Sequence, residues 1–229
     1  MNRESATHGR DAVTVWDLPT RLFHWALIAL ILLQYASGEF GLLSMDWHFY
    51  LGYTTLALIV FRVLWGFFGA TTSRFSHFVR GPVAVWRYTA ALLQGRAQGA
   101  VGHNPLGGWS VLLMLASVAL QTVTGLFSTD DLDTTGPLAA RVSEAAVKWM
   151  TRIHHWNRYF LLLLIVLHLG AVLAHWVWRR DNLVAPMVHG RKRITVTAPL
   201  RAGSVWIALA LLIASAVAVW ALVAWGEAA

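Results

Sequence analysis

The chain has 229 residues, of which 57% are hydrophobic and only 13% charged, with 13 tryptophans and a formal net charge of +7. A soluble domain carries about 25% charged residues, so this balance excludes an ordinary water-soluble fold and points to the membrane. Cysteine is absent, which excludes disulfides, thiolate-held metals, iron–sulfur clusters and thioether-linked haem.

Five apolar runs follow in chain order. The first covers 22–38, is entered by Arg21 and carries His24. It lacks a convincing small-residue cleavage site and is expected to stay in the mature protein. The second covers 48–69, opens on His48 and holds Arg62 in its interior. Segment 76–98 is weakly amphipathic and is expected to lie along the membrane interface, with Trp86 and Tyr88 near the headgroups. The third run covers 105–127. In the 128–149 loop, PLAARVSEAAVKWM is expected as a short outer helix leading into the fourth run, 154–178. The fifth run, 203–225, has many alanines and no histidine, and reads as an anchor or contact surface. About 20 residues at 1.5 Å rise cross some 30 Å of hydrocarbon, so each run can span. Five such helices in so short a chain leave nothing to bury them in a water-soluble fold.

Charge orients the spans. The 70–104 connection carries Arg74, Arg80, Arg87 and Arg96 with no acid, and the tract after the fourth span carries Arg179, Arg180, Arg191, Lys192, Arg193 and Arg201 against Asp181. The opposite connections hold Glu39, Asp46, Asp130, Asp131, Asp133 and Glu144 against Arg141 and Lys148. The positive-inside rule places the N-terminus in the cytoplasm and the C-terminus outside. The basic tract beside a membrane helix is read as topology signal and anionic-lipid contact, not as nucleic-acid binding.

The histidines carry the chemistry. An ionisable residue inside a membrane helix is a functional candidate by default, and neutral imidazole is a good haem ligand. His154 and His168 are 14 residues apart. That is about 21 Å along a helix, and at 100° per residue they fall about 40° apart. The same sum sets His155 about 220° from His168. His154 and His168 therefore share a face at two depths. Antiparallel threading brings His24 to the depth of His168 and His48 to the depth of His154. The expectation is two bis-histidine haem sites, one towards each membrane face. Zinc is the second choice of metal, since it would need more ligands at one level.

Other positions fit such a core. Arg62 lies 14 residues after His48 on the same face, where it can meet a haem propionate or snorkel to the interface. Arg21 sits one turn before His24 and Arg158 one turn after His154, and both can pair with propionates. Gly38, Gly52 and Gly125 can make room for a macrocycle edge or for close helix packing. His175 reads as an interfacial histidine. His103 and His189 are loop residues, His8 belongs to the tail, and His77 has no clear duty.

The stretches TVWDLPTRLFHW, HFYLGYTTLALIVFRVLWGFFG and RIHHWNRYFLLLLIVLHLGAVLAHW resemble bacterial di-haem cytochrome b561 proteins and the b-type cytochrome subunit of nickel–iron hydrogenases, over about 14–178. The resemblance implies two non-covalent b haems in a four-helix core, with His24 and His168 on one iron and His48 and His154 on the other. It also implies electron exchange with the quinone pool. A fifth helix goes beyond the family's usual core, and His155 beside His154 leaves a one-residue alternative for the ligand.

The expected fold is thus an all-α integral membrane protein, a four-helix haem-binding bundle plus a fifth C-terminal transmembrane helix. Residues 14–178 would form the di-haem domain, and 179–229 a basic cytoplasmic linker with the fifth helix. The expected function is transmembrane electron transfer in a bacterial inner membrane between a periplasmic redox protein, a hydrogenase or c-type cytochrome, and quinone. A stand-alone superoxide:quinone oxidoreductase and a non-redox membrane scaffold are the alternatives. Arg152 and Arg158 are the cations that could draw superoxide in the first of these.

Overall fold

A computed structural model describes residues 12–97, 100–130, 133–194 and 199–228. Asp131 and His8 lie outside them. Five helices are long and apolar enough to cross a membrane: α1 (Leu18–Gly38), α2 (Met45–Phe68), α5 (Pro105–Gly125), α6 (Glu144–Arg179) and α8 (Val205–Glu227). Short helices α3 (Phe75–Phe78), α4 (Pro82–Leu93) and α7 (Val184–His189) occupy the connections. The protein is an all-α multi-span membrane protein. Its one small strand pair joins β1 (Ala12–Thr14) antiparallel to β2 (Arg191–Arg193), tying the chain ahead of α1 to the connection after α7.

Local chemistry sets the helix ends. The Asp17 side chain accepts the Thr20 N–H at 3.3 Å, and Pro19 suits the first turn of α1. Asn104 accepts the Gly107 N–H at 2.8 Å ahead of Pro105 and so starts α5. The Ser143 hydroxyl accepts the Ala146 N–H at 3.3 Å, and Glu144 complements the positive end of α6. This cap changes one expectation. No separate outer helix forms over 137–150: a 3-10 turn at Ala139–Arg141 is followed directly by α6, 36 residues long. At 1.5 Å per residue α6 reaches about 54 Å, well beyond the hydrocarbon thickness. The 76–98 segment is likewise broken, into α3 and α4, where Gly81 and Pro82 begin a new helix. α4 buries no residue and leaves Trp86 exposed, as an interfacial helix does.

In lipid, helices associate through close packing and interhelical hydrogen bonds, because tails are as apolar as leucine. α2 is the central post, packed against α1, α5 and α8, while α6 packs on α5. Phe23, Phe61, Trp65, Leu115, Leu161 and Ala208 meet in one buried cluster drawn from all five spans. The fifth helix therefore belongs to the core on one side. Ala208, Ser215, Val219 and Val223 are buried, whereas Trp206 and Trp220 face outward. Its end is held where Arg141 donates to the Trp225 carbonyl at 2.5 Å and lies 4.3 Å above the Trp225 ring. One end of the bundle gathers 12–17, 69–97, 100–104, 180–194 and 199–204 and is basic. The other gathers 39–44, 126–130 and 133–143 and is acidic.

Candidate functional site

At the acidic end a cavity of about 320 Å³ opens between α1, α2, α5 and α6. His48 from α2 and His154 from α6 line it, with ring centroids 6.5 Å apart and planes at 79°. Two imidazoles binding one metal from opposite sides, with bonds of about 2 Å, have centroids about 6 Å apart. Each ring is also turned by the chain. His154 Nδ1 lies 2.9 Å from the Gln121 carbonyl oxygen, which only accepts, so the proton sits on Nδ1 and the Nε2 lone pair is free. His48 Nδ1 lies 2.9 Å from the Ser37 hydroxyl. That hydroxyl is itself 3.0 Å from the carbonyls of Leu33 and Gln34, where it places its own proton. Outer partners of this kind fix the tautomer of metal-ligating histidines.

Two glycines make the space for these rings. A Cβ on Gly38 would lie 2.8 Å from His48 Cε1, and one on Gly125 would lie 3.0 Å from His154 Cε1. Gly52 differs: its Cβ would meet only Gln34, at 3.8 Å, and would project from the cavity wall.

A polar seam sets the rotation of α6. Asn157, 5% exposed, donates to the Ser117 carbonyl at 2.9 Å and to Gln121 Oε1 at 2.8 Å, and accepts from the Ser117 hydroxyl at 3.0 Å. Gln121 in turn donates to the His154 carbonyl at 3.1 Å. With Asn157 turned into α5, His154 one turn earlier faces the cavity beside His48. His155 reaches the same cavity from its rim, its ring 6.4 Å from that of His154. Arg158 also lines the cavity. It pairs with Glu39 and donates to the Tyr159 hydroxyl at 2.7 Å, while its Nε is buried without a partner.

At the basic end His24 on α1 and His168 on α6 come within electrostatic reach of each other. His24 Nδ1 is buried without a hydrogen bond. Arg62, 3% exposed, sits 5.4 Å above the Phe75 ring with Nη1 unpartnered. The protein encloses the guanidinium, with Phe75 of the connection after α2 beneath it. Arg21 donates from Nη1 to the Val188 carbonyl of α7 at 2.5 Å, while its Nε is buried without a partner. His175 bonds back to the Ala171 carbonyl at 2.9 Å, and His189 accepts the Arg191 N–H at 3.1 Å.

The roles of Ser37, Gln121, Asn157 and His103 escaped the sequence reading, as did Thr124, whose hydroxyl lies 3.3 Å from His154 Nδ1. Asn157 and Gln121 were detectable as polar residues inside apolar spans, which must find partners there. His103 was not. Gly102 with φ +82°, a conformation natural to glycine, turns the chain just before it. The ring then packs 4.7 Å from that of Trp16 and 4.9 Å from that of Phe78. Burial, then the charge of Arg62 and those of His168 and His24, pushes the His103 imidazole down to about 3, so it is neutral at physiological pH.

Among the described residues, no three or more histidines or acids are grouped as a metal ion would need. The imidazoles come in pairs. A pair suits a metal whose other four ligands belong to a macrocycle. The paired rings, the glycine clearances and the orphaned basic-end nitrogens all fit haem.

A family model described as prokaryotic cytochrome b561 matches residues 15–190. A protein of Bradyrhizobium diazoefficiens described as a probable Ni/Fe-hydrogenase B-type cytochrome subunit is 23% identical over 222 aligned positions, covering 81% of this chain and 87% of that protein.

Proposed function

The chain belongs to the prokaryotic cytochrome b561 family, and on that premise we propose that it carries electrons across a bacterial inner membrane through two bis-histidine b haems. As a member it serves as an electron-transfer cytochrome of the b type; the sites, partners and direction below are our reading. His48 and His154 hold the acidic-end haem, and His24 and His168 the basic-end haem. Arg62 and Arg158 face their propionates, and Arg21 braces the entry of α1. Residues 14–178 form the di-haem unit, and 179–229 the basic linker with the fifth helix.

The observation that carries this reading is the His48–His154 pair, 6.5 Å apart across a cavity with both Nδ1 atoms tied back to the chain. Bound haem supplies a one-electron couple at each end. Two imidazoles would hold each haem, His48 with His154 and His24 with His168, and the haem so held would exchange electrons without binding substrate at the metal. The basic end lies in the cytoplasm and the acidic end in the periplasm, so both chain termini follow the positive-inside rule. The donor or acceptor at the acidic end is a periplasmic redox protein, a hydrogenase or a c-type cytochrome, and quinone serves as the membrane partner.

The superoxide reading draws less support. Its attraction would come from cations at the acidic end, but Arg158 is paired with Glu39 and Arg152 lies over the Trp149 ring. The test is haem quantitation with reduced-minus-oxidised spectra on single variants. Two haems per chain are expected. His48→Ala or His154→Ala should remove one, His24→Ala or His168→Ala the other, and His155→Ala neither. A chain that holds no b-type chromophore after full haem supply would leave the scaffold reading standing.

A further inference from the structure

The basic-end cluster holds one group more than a ligand pair and Arg62 require. His103 is joined to Arg62 by a continuous tray of rings. Its own ring packs 4.9 Å from Phe78, Phe78 packs 5.7 Å from Phe75, and the Phe75 face carries the Arg62 guanidinium at 5.4 Å. Trp16 closes the other side of His103 at 4.7 Å. Phe75 also packs against the buried cluster that contains Phe23, the residue before His24, so the same tray runs from the loop before α5 to the His24 turn of α1.

Both groups are left incomplete by the protein. Arg62 Nη1 and His103 Nδ1 are buried without partners. A buried, unpaired guanidinium is among the costliest groups a fold can carry. Asp17 is the carboxylate that acts on Arg62, and its oxygens are already in use. Oδ1 accepts from the Thr20 N–H and the Ser73 hydroxyl, each at 3.3 Å, and Oδ2 accepts the Trp65 indole N–H at 3.2 Å. A buried cation and an imidazole nitrogen, at the two ends of one ring tray, are thus left without an acceptor from the protein.

We propose that Arg62 and His103 form a carboxylate clamp for a propionate of the basic-end haem, with Arg62 giving the charge and His103 a directed N–H. The proposal rests on the two-haem reading above. It makes His103 a positioning residue that links haem loading to the loop ahead of α5. The tightness of that loop against the bundle then depends on the cofactor, which no helix-packing term alone would demand.

The test is a spectroelectrochemical titration of the full-length protein carrying both haems. The basic-end haem is identified as the one lost in His168→Ala. An uncompensated propionate charge favours ferric iron, so His103→Phe and Arg62→Gln should each shift that haem's midpoint potential downward and leave the other haem in place. His103→Asn, whose amide keeps a donor near the Nδ1 position, should restore the potential. Infrared difference bands of ¹³C-labelled propionates should move in His103→Phe and return in His103→Asn. Reconstitution with haem whose propionates are esterified should abolish the difference between wild type and His103→Phe. Loss of the basic-end haem in His103→Phe but not in His103→Asn would also support the clamp. An unshifted potential with unmoved carboxylate bands, an equal shift with the esterified haem, or haem loss in both His103 variants overturns it. If His24→Ala and His168→Ala both retain two haems, the ligand assignment itself fails, a result visible before any potential is measured.

Discussion

The acidic and basic ends of the bundle, each of which we propose holds an imidazole pair for haem, are finished differently. At the acidic end the chain ties back both rings: Ser37 and Gln121 turn His48 and His154, and Gly38 and Gly125 clear the space around them, although Arg158 Nε is buried without a partner. At the basic end His24 Nδ1, Arg62 Nη1 and His103 Nδ1 are buried and unpaired. One site is preorganised by hydrogen bonds within the protein. The other needs a ligand to satisfy groups that the fold has already taken out of water. The contrast teaches that two equivalent ligand pairs need not contribute equally to stability before cofactor arrives.

Removing haem should expose this difference most strongly. Hydrogen exchange on the haem-free protein should rise sharply over 100–104 and the first turn of α1, whereas the α5–α6 seam around Asn157 should keep its protection. Equal loosening at both ends would erase the contrast. Next in size are the glycines. Gly125→Leu forces a side chain into the His154 ring, and overpacking of this kind costs about 1–3 kcal/mol. At 1.4 kcal/mol per decade that is about a 5- to 140-fold loss of haem affinity at the acidic end, read by haem titration, with the basic-end spectrum unchanged. Gly52→Ala, whose smaller Cβ meets only Gln34 at 3.8 Å but projects from the wall of the same cavity, should weaken haem binding less than Gly125→Leu.

Asn157→Leu removes three hydrogen bonds of the α5–α6 seam and leaves Ser117 and Gln121 without their partner. A loss of about 1–2 kcal/mol is expected, in line with interhelical hydrogen bonds of about 0.6 and at most about 1.7 kcal/mol each. Denaturant titration in detergent would measure it. The acidic-end haem band should broaden as α6 gains rotational freedom, and an unchanged band would mean that the seam does not steer His154. The smallest effect belongs to Glu39→Gln. The Glu39–Arg158 pair is partly exposed, so its loss should cost under about 1 kcal/mol in a melting experiment and spare both haems.

Much of this was legible in the residues. The spans were, because lipid demands about 20 apolar residues per crossing and the chain offers five such runs. So was the common face of His154 and His168, because α6 runs unbroken from Glu144 to Arg179 and the 100° turn applies throughout. The start of α6 was not, because the Ser143 cap lets polar residues extend the helix beyond the apolar run. The carbonyl that accepts from Arg21 was not legible either, because it comes from Val188, 167 positions away. His103 read only as a loop residue, because its packing depends on Trp16 and Phe78, which reach it from two other segments.

The amino-acid pattern by itself determined the membrane class, the five crossings, the charge asymmetry of the two ends and the depth of each histidine. These follow from hydrophobic length and helical periodicity, which act within one segment. Only the tertiary structure decided which imidazoles meet, which nitrogen of each is free, and which cations are left buried without a partner. Those outcomes depend on how helices rotate and tilt against one another, and that is set by contacts between segments far apart in the chain.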